Sequence, residues 1–326
     1  MLRVLAYHRV LDDDPETFPF DEALISASSE VFQQQMEFVR RNFEVLSFED
    51  LEHCQREGRP WPKRSVIITF DDGYRDNYTH AFPILKALKL PAAIFISTSY
   101  MGDCTKLFWW DLVAYCFKHT KRSEVEFPQV HHQPLPLTSA RDRHRAILRI
   151  LRWAKQVPDE VKNQFIDQLA ASLEIELPSD IAAGMHLTWE QIKEMADGGI
   201  EFGSHTVTHP ILANVNEAQL ETEICESKKI IEQHLGKEVL VISYPDGRKP
   251  HYNEQVQQLA KAAGFHFGIA YEEGPVSEKK CDYFAMPRIH VEQDQTMSLF
   301  RANLMFPKIM MMRKNNIQHH RSELHS

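Results

Sequence analysis

Apolar and polar residues form alternating blocks along the chain, and these blocks predict strands that are followed by helices. Nearly continuous apolar runs at residues 2–7, 65–70 and 91–97 are typical of strands that are buried on both faces of a parallel sheet. Between the first two runs, residues 28–43 repeat apolar positions at helical spacing. The pattern therefore predicts an α/β fold built on a parallel sheet.

The strand–helix rhythm stops in the middle of the chain and then returns. Residues 105–185 show no strong strand pattern and contain one long charged helical stretch at 141–173, so we expect a helical insertion, with a lid over the site as a hypothesis. After it, helices capped by Thr188 and Asn216 alternate with apolar strands again. The predicted parts are a first α/β part (1–104), the insertion (105–185), a second α/β part (186–305) and a flexible basic tail (306–326).

Composition narrows the class of protein. The chain has 326 residues with 25% charged residues and a formal net charge of −9, which argues against nucleic acid as the partner. Its five cysteines are widely spaced, so we expect reduced thiols in a cytoplasmic protein rather than a disulfide framework. We expect neither a signal peptide nor a transmembrane segment, since no apolar run approaches the roughly 20 residues of a membrane span. The oligomeric state stays open.

Polar clusters follow three of the predicted strands: Asp71-Asp72-Gly73, the segment from His205 to Pro210, and Tyr244-Pro245-Asp246-Gly247. Because the carboxyl ends of parallel strands meet at one side of a sheet, we expect one shared pocket. Two adjacent carboxylates at the end of a buried strand need a cation or a proton-transfer role to explain them. Two histidines and a carboxylate are a typical ligand set of a zinc or iron site with open positions. One aspartate would then bind the cation, and its neighbour would stay free as a base.

These motifs resemble the polysaccharide deacetylase family, also called carbohydrate esterase family four or the NodB homology domain. Residues 69–73 match its first motif, Thr-Phe-Asp-Asp-Gly, and residues 205–210 match its second, His-(Ser/Thr)-x-x-His-Pro. The pair Tyr7-His8 is similar to the subgroup that deacetylates bacterial exopolysaccharides such as poly-N-acetylglucosamine, in which the strand order is circularly permuted. The resemblance covers residues 1–100 and 186–300, and it implies an irregular (β/α)7 barrel.

The third family motif, Arg-x-Pro-(Tyr/Phe)-Gly, is matched only in part. Residues 243–247 keep the proline and the glycine, but Ser243 replaces the arginine and Asp246 replaces the aromatic residue. The aspartate keeps the backbone N–H that assists the reaction in the family, and it changes the expected sugar subsite. The substrate-facing residues implied here are Tyr244, Pro245, Asp246 and Gly247.

The resemblance also implies a role for each polar group of the site. The expected ligands of one divalent metal, usually zinc with iron, cobalt or nickel as alternatives, are Asp72, His205 and His209. Asp71 would be the general base, and His8 would protonate the departing amine, with His290 as the rival acid. Arg288 is expected beside the substrate, where it would orient Asp71 in place of the arginine missing from the third motif.

The reaction implied is hydrolysis of an N-acetyl group on a sugar or polysaccharide, giving acetate and a free amine. Two alternatives remain open: an O-acetyl esterase or other amidase on the same scaffold, and a catalytically inactive sugar-binding module. An iron oxygenase with two histidines and one carboxylate is disfavoured, because the His-x-Asp pair and antiparallel fold of that class are not seen. Trp109 and Trp110 are either core residues of the insertion or a stacking surface for sugar rings.

Overall fold

The computed structural model describes residues 1–311, so residues 312–326 of the predicted basic tail lie outside the described residues. The strands are β1 (Leu2–Tyr7), β2 (Arg9–Val10), β3 (Ile25–Ala27), β4 (Glu44–Val45), β5 (Ser65–Phe70), β6 (Ala92–Ile96), β7 (Glu124–Val125), β8 (Leu135–Pro136), β9 (Ile200–Ser204), β10 (Val241–Ser243), β11 (Phe267–Glu273) and β12 (Met286–His290). The α-helices are α1 (Ser29–Asn42), α2 (Phe48–Arg56), α3 (Phe82–Leu88), α4 (Trp109–His119), α5 (Ala140–Ala154), α6 (Asp159–Ser172), α7 (Trp189–Asp197), α8 (Glu217–Leu235), α9 (Glu254–Ala262) and α10 (Met297–Met305).

Seven parallel strands close into a barrel, in the order β1-β12-β11-β10-β9-β6-β5. The ring closes where β5 pairs with β1 along its whole length, from Leu2 opposite Ser65 to Tyr7 opposite Phe70. The short β4 adds an eighth strand beside β5. This topology confirms the predicted α/β class and the (β/α)7 barrel. The sequence pattern did not predict β12, where Pro287 and the polar residues Arg288 and His290 interrupt the apolar run. It did not predict α10 either.

Side chains alternate between the inside and the outside of the barrel along each strand. The interior is filled by one apolar cluster that includes Leu2, Val4, Ile67, Phe95, Val241, Phe267, Ile269 and Met286. Helix α2 closes the end of the barrel at which the strands begin. Phe48 of this helix joins the interior cluster, and the carboxylate of Glu201 accepts hydrogen bonds from two backbone amides at the helix start. Continued to the carboxyl ends, the same alternation brings Asp71, His205 and Arg288 inside and leaves Tyr244 outside.

The insertion follows β6 and precedes α7 in the sequence, and it contains helices α4, α5 and α6. These helices share an apolar core that also includes Phe18 and Phe20 from the N-terminal part of the chain. The long stretch predicted over 141–173 is helical, but it is not continuous, because the chain breaks into α5 and α6 around Pro158. Proline disfavours a helical conformation in the preceding residue and lacks an amide donor. The loop between α4 and α5 contains a small antiparallel pair, β7 and β8. The boundaries at 104 and 185 stay a prediction.

Side-chain caps begin several helices, and those at Thr188 and Asn216 are the predicted ones. Ser47 and Asp50 form a reciprocal capping box at α2, and Thr188 and Gln191 form another at α7. Asn216 caps α8, which ends at a left-handed glycine. Within residues 1–311, no helix has both the length and the apolar character needed to cross a membrane.

Candidate active site

The carboxyl ends of the barrel strands surround a cavity of about 290 Å³. Its floor and walls contain seven of the predicted site residues: His8, Asp71, Asp72, His205, His209, Asp246 and Arg288. A further cavity, of about 240 Å³, lies at the amino ends of β9 and β10 and contains none of them. The predicted meeting of the three polar clusters is therefore found at one end of the barrel.

Several residues of this floor have backbone conformations that L-amino acids rarely adopt. The φ angles are +75° at Asp72, +70° at Thr206, +59° at His209 and +56° at Asp246. Gly73 follows with φ +79°, and an added Cβ there would lie 2.9 Å from a side-chain carbon of Ile96. Left-handed backbone of this kind costs energy and clusters at functional sites. Here it turns Asp72 into the same cavity as Asp71, although neighbouring strand residues normally point in opposite directions.

Asp72, His205 and His209 converge on one point. The Nε2 atoms of the two histidines are 3.1 Å apart, and they lie 3.5 Å and 3.4 Å from Oδ1 of Asp72. Nδ1 of His205 lies 2.7 Å from the carbonyl of Ser243; with the proton on Nδ1, Nε2 keeps its lone pair. Burial lowers the pKa of His205 to about 4 and that of His209 to about 3, so both rings are neutral at neutral pH.

This arrangement fits a divalent metal ion. Ligands about 2.0–2.2 Å from a metal in tetrahedral or octahedral geometry lie about 3.0–3.5 Å from one another, which is the separation of the three donor atoms. Burial raises the pKa of Asp72, and a positive charge beside the carboxylate would favour its ionised form. Within residues 1–311, Asp72, His205 and His209 form a cluster in which one ligand atom of each residue lies within 4.8 Å of the others, close enough to share one metal ion.

Asp71 is held by an arginine rather than by the metal-site residues. The guanidinium of Arg288 donates two hydrogen bonds to its carboxylate, of 2.9 Å and 2.7 Å, and both side chains are almost fully buried. Ser243 donates a weaker third hydrogen bond of 3.3 Å. Burial, the largest single effect, would raise the pKa of Asp71, but the charge and hydrogen bonds of Arg288, with contributions from His205 and His8, together hold the pKa well below its usual range. The carboxylate is therefore ionised and fixed in direction.

The two candidate acids occupy different positions. His8 lines the cavity, and its Nε2 lies 3.8 Å from the carboxylate of Asp71. Burial lowers the pKa of His8, against the opposing effect of Asp72 and Asp71. His290 does not line the cavity: its ring stacks on Tyr271 at 3.7 Å, and its Nδ1 lies 3.1 Å from Glu273. Of the two, the structure brings His8 to the metal site.

Of the four residues predicted to face the substrate in the third motif, only Asp246 lines the cavity. Tyr244 points out of the barrel, stacks on Tyr252 and donates a hydrogen bond to the Phe284 carbonyl, and neither Pro245 nor Gly247 lines the cavity. Asp246 does line it, paired with Lys155 at 2.8 Å and with His251. Burial would raise the pKa of Asp246, but these partners hold it below its usual range.

The insertion forms one wall of the cavity. Trp109 and Trp110 of α4 both line it, and the ring of Trp110 packs against the ring of His209 at 4.5 Å. The indole N–H of Trp110 donates to the hydroxyl of Tyr74, which in turn donates to the buried carboxylate of Asp111. The hydrogen bond to Tyr74 thus fixes the orientation of Trp110, whose ring packs against His209, a predicted metal ligand.

Sequence reasoning missed nine residues of the cavity, among them Lys155, Arg248 and Tyr271. The guanidinium groups of Arg288 and Arg248 lie near the ring of Tyr271, at 5.0 Å and 5.3 Å from its centre. Tyr271 follows Ile269 by two residues on β11, and Ile269 points into the barrel. The two-residue period of a strand could therefore have predicted that Tyr271 faces the inside as well. Lys155 carried no such signal, because it reaches the cavity only through the packing of α5.

Comparison with known proteins gives consistent results. The profile of the polysaccharide deacetylase family matches residues 58–268. YxkH of Bacillus subtilis (strain 168), provisionally named a polysaccharide deacetylase, is 24% identical over 302 residues, which are 92% of this chain and 75% of that protein. The poly-beta-1,6-N-acetyl-D-glucosamine N-deacetylase of Staphylococcus aureus (strain MSSA476) is 22% identical over 281 residues, which are 82% and 69% of the two chains.

A similar fold is found among solved structures. The Streptococcus pyogenes deacetylase PplD, solved in complex with acetate, superposes with a TM-score of 0.62 at 20% identity and covers 93% of this chain and 97% of that one. At this identity the likeness concerns the fold, and it extends over the barrel and the helical insertion together.

Proposed function

Because the chain belongs to the polysaccharide deacetylase family, we propose that it is a metal-dependent hydrolase that removes N-acetyl groups from an N-acetylated sugar or polysaccharide. The products are acetate and a free amine. The observation that carries the proposal is the floor of the cavity, where three convergent donor atoms lie beside a separately held, ionised Asp71. A binding module would not need a second carboxylate that is kept ionised and free of the metal ligands.

The proposed metal ligands are Asp72, His205 and His209, and zinc is the metal we favour, with iron, cobalt and nickel as alternatives that two imidazoles and a carboxylate accommodate. The bound ion would polarise the acetyl carbonyl and lower the pKa of a water molecule. The hydrogen bond between His205 and the Ser243 carbonyl fixes the ring so that Nε2 faces the ion.

Asp71 serves as the general base in this proposal. Its carboxylate is ionised at neutral pH, and Arg288 occupies both carboxylate oxygens from one side. The remaining lone pairs are available to accept the proton of the attacking water. Arg288 is accordingly assigned to orient Asp71 rather than to bind the sugar.

His8 serves as the general acid that protonates the departing nitrogen. It lines the cavity, whereas His290 does not line it and stacks on Tyr271 instead. An amine is a poor leaving group unless it is protonated as the C–N bond breaks. A backbone N–H beside Asp246 would stabilise the negative charge that develops on the acetyl oxygen.

The same groups would also hydrolyse an O-acetyl ester, so the amide must be tested directly. The experiment compares metal-loaded wild type and Asp71→Asn on an N-acetylglucosamine oligomer and on an O-acetylated sugar, with separate measurement of acetate and of new amine. We expect equal amounts of acetate and amine from the wild type and a loss of about 10²–10⁴-fold in Asp71→Asn. Acetate from the ester alone would contradict the N-deacetylase assignment.

The place of action belongs to the proposal as well. Five free cysteines favour a reducing compartment, so we propose a cytoplasmic enzyme that acts on a precursor of a glycan. Fractionation of cells that produce the untagged protein tests this, and recovery from the medium or the cell surface would contradict it.

A further inference from the structure

We propose that this cavity accepts an N-acetylated sugar at the end of a glycan and excludes sugars in the interior of a polymer. The inference rests on the proposed hydrolase function and specifies its substrate. It comes from the way in which the insertion is attached to the two sides of the barrel mouth.

The first attachment joins α4 to the segment that follows β2. The ammonium group of Lys118 donates to the carbonyls of Phe18 and Phe20, at 2.9 Å and 2.6 Å, and pairs with the carboxylate of Glu22. The apolar core of the insertion continues into the same segment. This side of the mouth is therefore fixed to the insertion by both polar and apolar contacts.

The second attachment joins the end of α5 to the loops after β9 and β10. Lys155 pairs with Asp246, and the side chain of Asn214 donates to the carbonyls of Lys155 and Val157, at 3.1 Å and 3.0 Å. Together, the ion pair and the two hydrogen bonds hold this corner in one place. The insertion is accordingly a fixed wall.

The order of strands shows where this wall stands. The insertion rises between β6 and β9, which are neighbours in the ring, and β12 lies on the opposite side of the seven strands. The cavity residues that are exposed to solvent are Ala23, Arg248 and Glu292, which follow β2, β10 and β12. The mouth is thus closed on the insertion side and open on the side of β12.

This geometry limits the substrate. The volume of about 290 Å³ lies at the low end of the range for ligand cavities, which suits one sugar ring with its acetyl group. The metal-site residues are buried at the floor, so the reacting sugar must enter the cavity. A sugar inside a polymer needs an exit for the chain on both sides, and the wall removes one of them. A terminal sugar needs only the exit beside Arg248 and Glu292.

The test maps which sugar loses its acetyl group. Metal-loaded protein is incubated with N-acetylglucosamine dimers and hexamers labelled at the reducing end, and tandem mass spectrometry locates each new amine. We expect one amine for each chain, at a terminal unit, in dimer and hexamer alike. Amines at internal units of the hexamer would overturn the inference and leave the hydrolase function standing, whereas no acetate from any substrate would overturn both.

Variants test the wall itself. The double substitution Lys155→Ala with Asn214→Ala removes the second attachment, and we expect the ratio of internal to terminal amines to rise at least tenfold. Arg152→Ala, an exposed change on the same helix, is the matched control and should keep the terminal pattern. A double variant with the wild-type pattern would show that the wall does not set the position of cleavage.

Discussion

The pairing of Arg288 with Asp71 gives the most demanding prediction. In Arg288→Met the carboxylate loses two hydrogen bonds and a positive charge but stays buried. An adjacent arginine lowers a carboxyl pKa by about 1–3 units, so its loss should raise the pKa of Asp71 by at least that amount, equivalent to about 1.4–4 kcal/mol. Breaking a buried pair from one side should also cost about 3–5 kcal/mol of unfolding free energy.

The pH dependence has a definite sign. In the wild type the folded pKa of Asp71 lies below the unfolded value of about 3.9, so its stabilisation is present above that pH and is lost as the pH falls towards the folded value. In Arg288→Met we expect burial to raise the folded pKa above the unfolded one, so that stability is lost as the pH rises. The difference in unfolding free energy between the two proteins should therefore widen from about pH 3 to pH 7.

Two assays check this reasoning. Urea unfolding of the metal-free proteins across this pH range gives the stability difference, and the acid limb of kcat/KM for acetate release gives the effect on the base. Arg9→Met breaks another buried arginine–aspartate pair, with Asp76, and is the matched control: it should lose stability without moving the acid limb. Arg288→Lys should give an intermediate shift. An acid limb that is the same in Arg288→Met and the wild type would refute the assignment of Asp71 as a base controlled by Arg288.

Three further predictions follow from the cavity. His8→Gln should lower kcat about 10²–10⁴-fold and remove the alkaline limb of the pH profile. His290→Gln should keep that limb, and the opposite result would make His290 the general acid instead of His8. Trp110→Phe should weaken metal binding about tenfold or more in a chelator competition, and Trp153→Phe, within the insertion core, should leave it unchanged. Equal metal affinities of the two variants would contradict the inference that Trp110 holds His209 in place. Gly73→Ala should lower both thermal stability and metal affinity, because its Cβ has no space; unchanged values would show that the turn adapts.

Much of the fold follows from local rules that the sequence displays. Apolar runs with β-branched residues predicted the central strands, and capping residues such as Thr188 located helix starts. The break at Pro158 was missed because charged residues on both sides continue the helical spacing. Strand β12 was missed because its inner face carries Met286, Arg288 and His290 rather than a continuous apolar row. The buried charge of the arginine there is balanced by the carboxylate of Asp71.

The site was predictable as far as its residues lie in short motifs. Asp71 and Asp72 are adjacent in sequence, but only the left-handed turn at Asp72 brings both into one cavity. Arg288 and Asp71 are 217 residues apart, so their contact depends on ring closure of the barrel. Tyr244 was expected beside the substrate, yet the two-residue period of β10 places Ser243 inside and Tyr244 outside. The roles proposed for all of these residues remain predictions.

The central claim is that one metal ion, held by Asp72, His205 and His209, is required for the hydrolysis. The most direct measurement determines metal content by mass spectrometry, together with acetate release, for untagged wild type and His205→Ala. The account predicts about one equivalent of metal in the wild type, loss of activity on chelation, recovery when one equivalent is returned, and neither metal nor activity in the variant. A chelated wild type that contains no metal and still releases acetate at the full rate would contradict it.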